Sequence, residues 1–213
     1  MAAMKRIMVV EMVCILLTGA LHLVFESLLG WKVPYIIVAA LGWGTYIVIR
    51  ARQHPELLDR WGIRQMASGD GWLTSMLFAL PAAAALATYA LCAKTLRLDG
   101  HLLAIAAIYP IFGILQQFVL NALLAANLSD LLPGKRVSIV VISALLFGLV
   151  HAPDVPLMAC TFVAGLVWVP LFLRCRNLLP LGICHGLLGT LTYYWILGRD
   201  PWAEILAEIA RVM

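Results

Sequence analysis

Charged residues are scarce in this 213-residue sequence: Lys, Arg, Asp and Glu make up 12% of it, whereas 63% of the residues are hydrophobic. The mean hydropathy of +0.97 excludes an ordinary soluble domain, which could not cover so much apolar surface. Long basic runs and nucleic-acid-binding motifs are also lacking, so we expect no nucleic-acid partner. The composition predicts an all-α, polytopic integral membrane protein whose immediate partner is the lipid bilayer.

Several catalytic and metal-binding patterns are missing as well. The five cysteines are scattered through apolar runs without a C-x-x-C motif, so we expect small buried hydrophobes and not disulfides or a metal cluster. Neither G-x-S-G nor H-E-x-x-H occurs. These absences argue against an intramembrane serine nucleophile and against a zinc protease whose ligands share one helix.

Apolar runs of membrane-spanning length recur along the chain. We predict a transmembrane helix bundle of about seven spans, with eight as the alternative, near residues 7–29, 33–50, 72–93, 102–127, 137–152, 155–173 and 178–197. The segment after Pro201 suits a short amphipathic helix at the membrane interface. We expect one membrane domain over residues 1–213.

The first 25 residues resemble a signal peptide, but their apolar run is too long, so we expect a retained first span. With a cytoplasmic N-terminus and seven spans, ten of the fifteen Lys and Arg residues fall on the inner side. The positive-inside rule favours that orientation. We predict a location in a bacterial inner membrane.

Polar and ionisable side chains inside a bilayer are costly, and each is therefore a candidate functional residue. The candidates are Glu11, His22 and Glu26 in the first span, Gln116, Gln117 and Asn121 in the fourth, His151 at the end of the fifth, and His185 in the seventh.

Three amides lie within six residues of the fourth span. Gln117 and Asn121 are four residues apart and share a helix face, whereas Gln116 is turned by about 100°. Pro110 and Gly113 precede them and permit a kink that could open a cavity. The amides either join helices through hydrogen bonds or line a site.

The two later histidines differ in their surroundings. His151 ends the run "LLFGLVHAPD", with Phe147 one turn earlier on the same face. His185 lies well inside its span, next to glycines that allow another helix to pack closely against it, namely Gly182, Gly186 and Gly189.

At three stretches the chain resembles the CAAX-protease and bacteriocin-processing (CPBP) intramembrane protease family. That family carries Glu-Glu-x-x-x-Arg, then Phe-x-x-x-His, then His-x-x-x-Asn or Asp on successive membrane helices. The corresponding stretches here are "QQFVLN" from Gln116, "FGLVH" from Phe147 and "HGLLG" from His185. The resemblance covers roughly residues 100–195. It implies an endopeptidase for membrane-bound, prenylated or leader peptides, whose catalytic positions are Gln116, Gln117, Asn121, Phe147, His151 and His185.

The chain departs from the family at the positions that carry charge. Gln116 and Gln117 stand where the resemblance implies two glutamates, Asn121 where it implies the arginine, and Gly189 where it implies the last asparagine. A carboxylate can take a proton from water, whereas an amide cannot. Loss of a general base removes a factor of about 10² to 10⁴ in rate.

Three other carboxylates are candidates for a substitute base. Glu11 and Glu26 lie on roughly the stripe of the first helix that carries His22, and Asp154 follows His151 by three residues. Asp154 is equally explained as a helix cap, and Glu26 as an interfacial residue.

Three functions remain open from the sequence. The first is a CPBP-like intramembrane endopeptidase with an altered first motif, and the second is a catalytically inactive relative that serves as a scaffold or binds a partner protein. The third is a non-hydrolytic membrane enzyme on the same bundle. The sequence leaves the cofactor open; a divalent metal is an alternative that we do not predict firmly, because two histidines and several amides make a poor zinc site.

Overall fold

The computed structural model describes residues 2–65 and 69–212, and this part of the chain contains helices and no strands. The α-helices are α1 (Ala2–Ser27), α2 (Lys32–Gln53), α3 (Leu57–Arg60), α4 (Gly69–Ala93), α5 (Gly100–Gln117), α6 (Ala126–Leu131), α7 (Arg136–Leu149), α8 (Val155–Cys175), α9 (Leu178–Leu191) and α10 (Pro201–Val212). Two π-helical segments, Phe118–Ala125 and Thr192–Ile196, follow α5 and α9. The predicted all-α polytopic bundle is confirmed.

Five of these helices are long and apolar enough to cross a membrane, namely Met4–Ser27, Lys32–Gln53, Gly69–Ala93, Gly100–Leu131 and Val155–Cys175. They correspond to the first four predicted spans and the sixth. Helices α7 and α9 have 14 residues each, about 21 Å of α-helix at 1.5 Å per residue. The count of seven spans stays a prediction. Helix α10 forms where the sequence predicted a short helix after Pro201.

Two aspartates fix where helices begin. The Asp99 carboxylate accepts a hydrogen bond of 3.0 Å from the backbone N–H of Leu102 at the start of α5. Asp154 accepts one of 3.2 Å from the N–H of Leu157 at the start of α8. Each side chain satisfies a backbone donor that the first turn of a helix leaves without an intrahelical partner.

Helices α5 and α9 pack against each other through glycines. A Cβ atom on Gly113, Gly182 or Gly186 would come within 3 Å of backbone atoms of the facing helix. Such small residues let two backbones approach closely inside a membrane. This contact, predicted from the glycines around His185, holds α9 beside the part of α5 that carries the amides. Gly189 takes no part in it, since its Cβ would lie 3.7 Å from the Tyr109 ring.

The main apolar core lies between α4, α8, α9 and the π-helical segment after α5. Its fully buried aromatic side chains are Trp61, Phe118, Trp168 and Phe172. Helices α1 and α2 supply none of its fully buried side chains and pack against its edge through partly buried ones such as Ile15 and Trp43; only 11% and 6% of their most apolar windows are buried. The bundle therefore has a packed centre, flanked by a helix pair that presents most of its surface to lipid.

The π-helical segment Phe118–Ala125 is the main local irregularity near the predicted site. Most of its side chains are buried, including Asn121. A π-helix has wider turns than an α-helix and often occurs at functional sites. It changes the direction of the side chains just after the two glutamines.

Candidate functional site

Gln116, the first of the three amides in the fourth predicted span, is hydrogen-bonded to His185. The Nε2 atom of His185 in α9 lies 2.8 Å from the Oε1 atom of Gln116 in α5. Because an amide oxygen only accepts, the imidazole Nε2–H donates. This bond leaves the two N–H groups of the Gln116 amide for another acceptor.

The other two amides turn into the protein interior. Asn121 Nδ2 donates a hydrogen bond of 2.5 Å to Gln117 Oε1, and both side chains are fully buried. Within the described part of the chain, Gln117 Nε2 and Asn121 Oδ1 have no hydrogen-bond partner. The pair carries no charge, where the family resemblance implies a glutamate and an arginine.

Phe147 lies between the two histidines of the motifs. Its ring centroid is 5.5 Å from those of both His151 and His185. The Nδ1 atom of His151 lies 2.8 Å from the Phe147 carbonyl oxygen, so Nδ1–H is the donor and Nε2 keeps its lone pair in the neutral ring. The structure thus brings Gln116, Phe147, His151 and His185 together, while Gln117 and Asn121 pack behind them.

A cavity of about 380 Å³ opens beside this cluster. It lies between α1, α2, α5 with its π-helical continuation, and α7, and most of its wall is apolar. Its polar lining residues are Thr18, His22, Tyr35, Gln116 and His151. Leu16 and Leu149 also line it and are 49% and 51% exposed, so the cavity reaches the surface of the bundle.

Helix α1 adds a histidine that the motifs do not include. His22 lines the cavity, and its Nε2 atom lies 3.1 Å from Glu26 Oε2. Glu26 Oε1 in turn lies 2.5 Å from Lys32 Nζ at the start of α2. The four-residue spacing of His22 and Glu26 was visible in the sequence, but no pattern there placed α1 against the later motifs.

The other two candidate carboxylates are engaged elsewhere. Glu11 is buried and accepts hydrogen bonds from the Tyr46 hydroxyl and, at 2.6 Å, from Asn127 Nδ2. Asp154 forms an ion pair with Arg199. That hydrogen-bonded guanidinium holds the pKa of Asp154 below its usual value. Neither carboxylate lines the cavity, so neither is placed to replace the missing glutamate.

The donor atoms of this site do not suit a divalent metal. Between residues 2 and 65, and again from 69 to 212, no three His, Cys, Asp or Glu side chains come together as a metal site would require. At the cluster itself, the two histidines offer one ring nitrogen each, His151 Nε2 and His185 Nδ1, because the other nitrogens donate to oxygen atoms. The remaining partners are amides, which are weak ligands for zinc.

Two motif histidines thus lie on either side of the Phe147 ring, and one of them bonds to an amide beside a cavity of the helix bundle. A family model described as type II CAAX prenyl endopeptidase Rce1-like matches residues 98–191, which is 94 of the 213 residues. The match confirms the resemblance to the CPBP family over this region, which spans α5 to α9. The comparison with curated proteins found no match, and that with solved structures found none either.

Proposed function

We propose that this protein is an intramembrane endopeptidase that cleaves peptides held in the membrane by an apolar or prenyl group. The observation that carries the proposal is the hydrogen bond between Gln116 and His185 beside a cavity that also exposes His151. It joins all three motif regions at one place, although the first motif has lost its carboxylates.

The cavity suits a substrate that is mostly apolar. Its wall consists chiefly of aliphatic and aromatic side chains from four helical segments, and its few polar groups lie near the histidines. Ligand pockets of this size usually combine an apolar lining with a few groups that fix orientation. A lipid chain would occupy the apolar part and leave the scissile peptide bond beside Gln116 and His151.

The side chains of the cluster fit the steps of peptide hydrolysis. The Gln116 amide, held by His185, directs N–H groups that can stabilise the oxyanion formed from the scissile carbonyl. His151, oriented by the Phe147 carbonyl, also lines the cavity. The Gln116 amide itself cannot take the proton from water, so the base must be another group.

The test is a cleavage assay of the protein in nanodiscs with a fluorogenic peptide in farnesylated and unmodified forms. We expect the farnesylated form to be cleaved, and His151→Ala and His185→Ala to lower the rate at least tenfold. His54→Ala is the matched control, because His54 is an exposed histidine paired with Glu56. The proposal would be contradicted if neither the wild type nor Gln116→Glu cleaved the peptide.

A catalytically inactive relative is the second candidate, and one observation favours it. The buried pair of Gln117 and Asn121 is neutral and has no acid–base capacity. Such a protein would bind a membrane-embedded or lipidated partner in the cavity and not cleave it. Binding of the farnesylated peptide without cleavage, and with cleavage restored by Gln116→Glu, would identify it.

We also propose that the N-terminus faces the cytoplasm of a bacterial inner membrane. The proposal is supported by the excess of Lys and Arg in the segments that would then lie inside. Labelling of single cysteines placed at His54 and at Lys94 in a cysteine-free background tests it. Modification of the Lys94 position alone by an impermeant reagent on intact cells is the expected result.

A further inference from the structure

We propose that His22, held by Glu26, is the general base of this site, supplied by a helix outside the family-matched region. The proposal rests on the proposed peptidase function and assigns the proton acceptor that the first motif lacks. Helix α1 ends at Ser27, far from residues 98–191 in the sequence. The active site would thus be completed by an element without a recognised motif.

The polar groups of the cavity narrow the choice of base. Thr18, Tyr35 and Gln116 do not accept protons readily at neutral pH. The remaining polar lining residues are His22 and His151. The choice is therefore between these two imidazoles.

The partners of the two imidazoles distinguish them. His151 donates Nδ1–H to a neutral backbone carbonyl, whereas His22 has its Nε2 atom 3.1 Å from a carboxylate. A carboxylate fixes the tautomer of a catalytic imidazole and stabilises the imidazolium that forms when it takes a proton. With Nε2–H directed at Glu26, the lone pair of His22 lies on Nδ1.

The packing of α1 turns the face that carries His22 toward the end of α7. Gly19 lies so close to α7 that a Cβ added to it would be 3.4 Å from a methyl carbon of Val150, the neighbour of His151. His22 and Glu26 follow Gly19 by three and seven residues and share its face. The face of α1 that touches the end of α7 is thus the one that carries the pair.

A cation and an aromatic ring from α2 flank the pair. Lys32 from α2 lies 2.5 Å from Glu26, and the Tyr35 ring centroid from the same helix lies 5.9 Å from that of His22. The turn after α7 contributes His151, and α5 contributes the uncharged Gln116. The side-chain exposures of His22 and Glu26 are 15% and 28%, and His22 is the member of the pair that lines the cavity.

The proton and bond changes follow from these positions. His22 Nδ1 takes a proton from water as the water oxygen bonds to the scissile carbonyl carbon, and the carbonyl oxygen becomes an oxyanion beside the Gln116 amide. Collapse of this intermediate reforms the carbonyl and breaks the C–N bond. The proton held on His22 passes to the leaving nitrogen, which departs as an amine and returns the histidine to its neutral state.

The test compares His22→Ala, His22→Gln and Glu26→Gln with the wild type in the nanodisc cleavage assay. We expect His22→Ala to lower kcat by about 10² to 10⁴ with little change in KM, because a base acts in the transition state. Added imidazole should restore part of the rate to His22→Ala. His54→Ala, which removes a histidine from an exposed carboxylate pair, should behave as wild type.

A structural role for His22 would give different results. His22→Gln keeps a donor for Glu26, so it should unfold like the wild type and yet lose the activity. Full activity in that variant, or a loss that imidazole does not restore in a folded His22→Ala protein, overturns the assignment and leaves the peptidase function intact. A silent wild type whose Gln116→Glu variant is also silent overturns both.

Glu26 acts through His22 and is a positioning residue. In Glu26→Gln we expect the ¹⁵N NMR signals of His22 to show a mixture of the two neutral tautomers, together with a lower kcat. Unchanged tautomer signals and unchanged kcat would show that the carboxylate does not orient the ring.

Discussion

His185 Nε2 and Gln116 Oε1 lie 2.8 Å apart across the contact of α5 with α9, although 69 residues separate them in the sequence. The amide therefore occupies a place in which a carboxylate of nearly the same shape would contact the same imidazole. Gln116→Glu would thus add a charge at this position with little change in the size of the side chain.

Gln116→Glu should restore cleavage to the His22→Ala variant. A carboxylate at position 116 would supply a second base beside His185 and make His22 dispensable, so the double variant should exceed His22→Ala by about 10-fold or more. The measurement is kcat/KM for the farnesylated peptide.

Gln117→Glu is the matched control for that double variant. Gln117 is fully buried and bonded to Asn121 behind the site, so a carboxylate there cannot reach the cavity. If Gln116→Glu and Gln117→Glu restored cleavage to His22→Ala equally, Gln116 would not be the amide that faces the cavity.

Gly182→Ala should destabilise the bundle, because the new methyl group would meet the backbone of Ile114 at less than 3 Å. Overpacking of this kind costs about 1–3 kcal/mol. Gly189→Ala, with only ordinary contact to the Tyr109 ring, should unfold at or above the wild-type midpoint. Thermal unfolding in nanodiscs measures both, and a Gly182→Ala protein as stable as Gly189→Ala would contradict the close contact of α5 and α9.

Glu11→Gln should lower stability and leave cleavage intact. The carboxylate accepts from Tyr46 and Asn127, and an amide in its place can accept through one oxygen only. The orphaned donor costs about 1–3 kcal/mol. Activity is measured below the unfolding midpoint, where a loss of more than tenfold would instead assign Glu11 to catalysis.

Asp154 should make the stability of the protein depend on acid pH. Its pKa is lowered in the folded state by the hydrogen-bonded guanidinium of Arg199. The ion pair therefore contributes fully above the unfolded pKa of about 4, and the contribution is lost as the pH falls through the lower folded pKa. Thermal midpoints from about pH 7 down to about pH 3 should fall more steeply for the wild type than for Asp154→Asn, which retains a capping oxygen. Parallel curves would mean that the pair does not stabilise the fold.

The sequence predicted the all-α bundle and the helix after Pro201 because apolar runs and composition determine these features directly. It also predicted that Gln117 and Asn121 share a face, and the hydrogen bond between them confirms it. The close approach of another helix next to His185 followed from the neighbouring glycines.

The arrangement around the cavity was not predictable in the same way. The direction of the Asn121 side chain depends on the π-helical turns after Gln117, and no periodicity rule specifies these. The contact of His22 with the cavity depends on how α1 packs against the π-helical segment Phe118–Ala125 and the turn after α7, which are far from it in sequence. Glu11 lies on a similar stripe, yet it bonds to Tyr46 and Asn127 at another part of the helix.

The half-exposed Leu16 and Leu149 show that the cavity meets the surface of the bundle where lipid chains would lie. A substrate that enters there is delivered by lateral diffusion, so its mole fraction in the bilayer, and not its molarity in the buffer, sets how often it reaches the site. Added empty lipid should therefore slow turnover at fixed amounts of protein and peptide, whereas dilution of the vesicles with buffer should leave it unchanged.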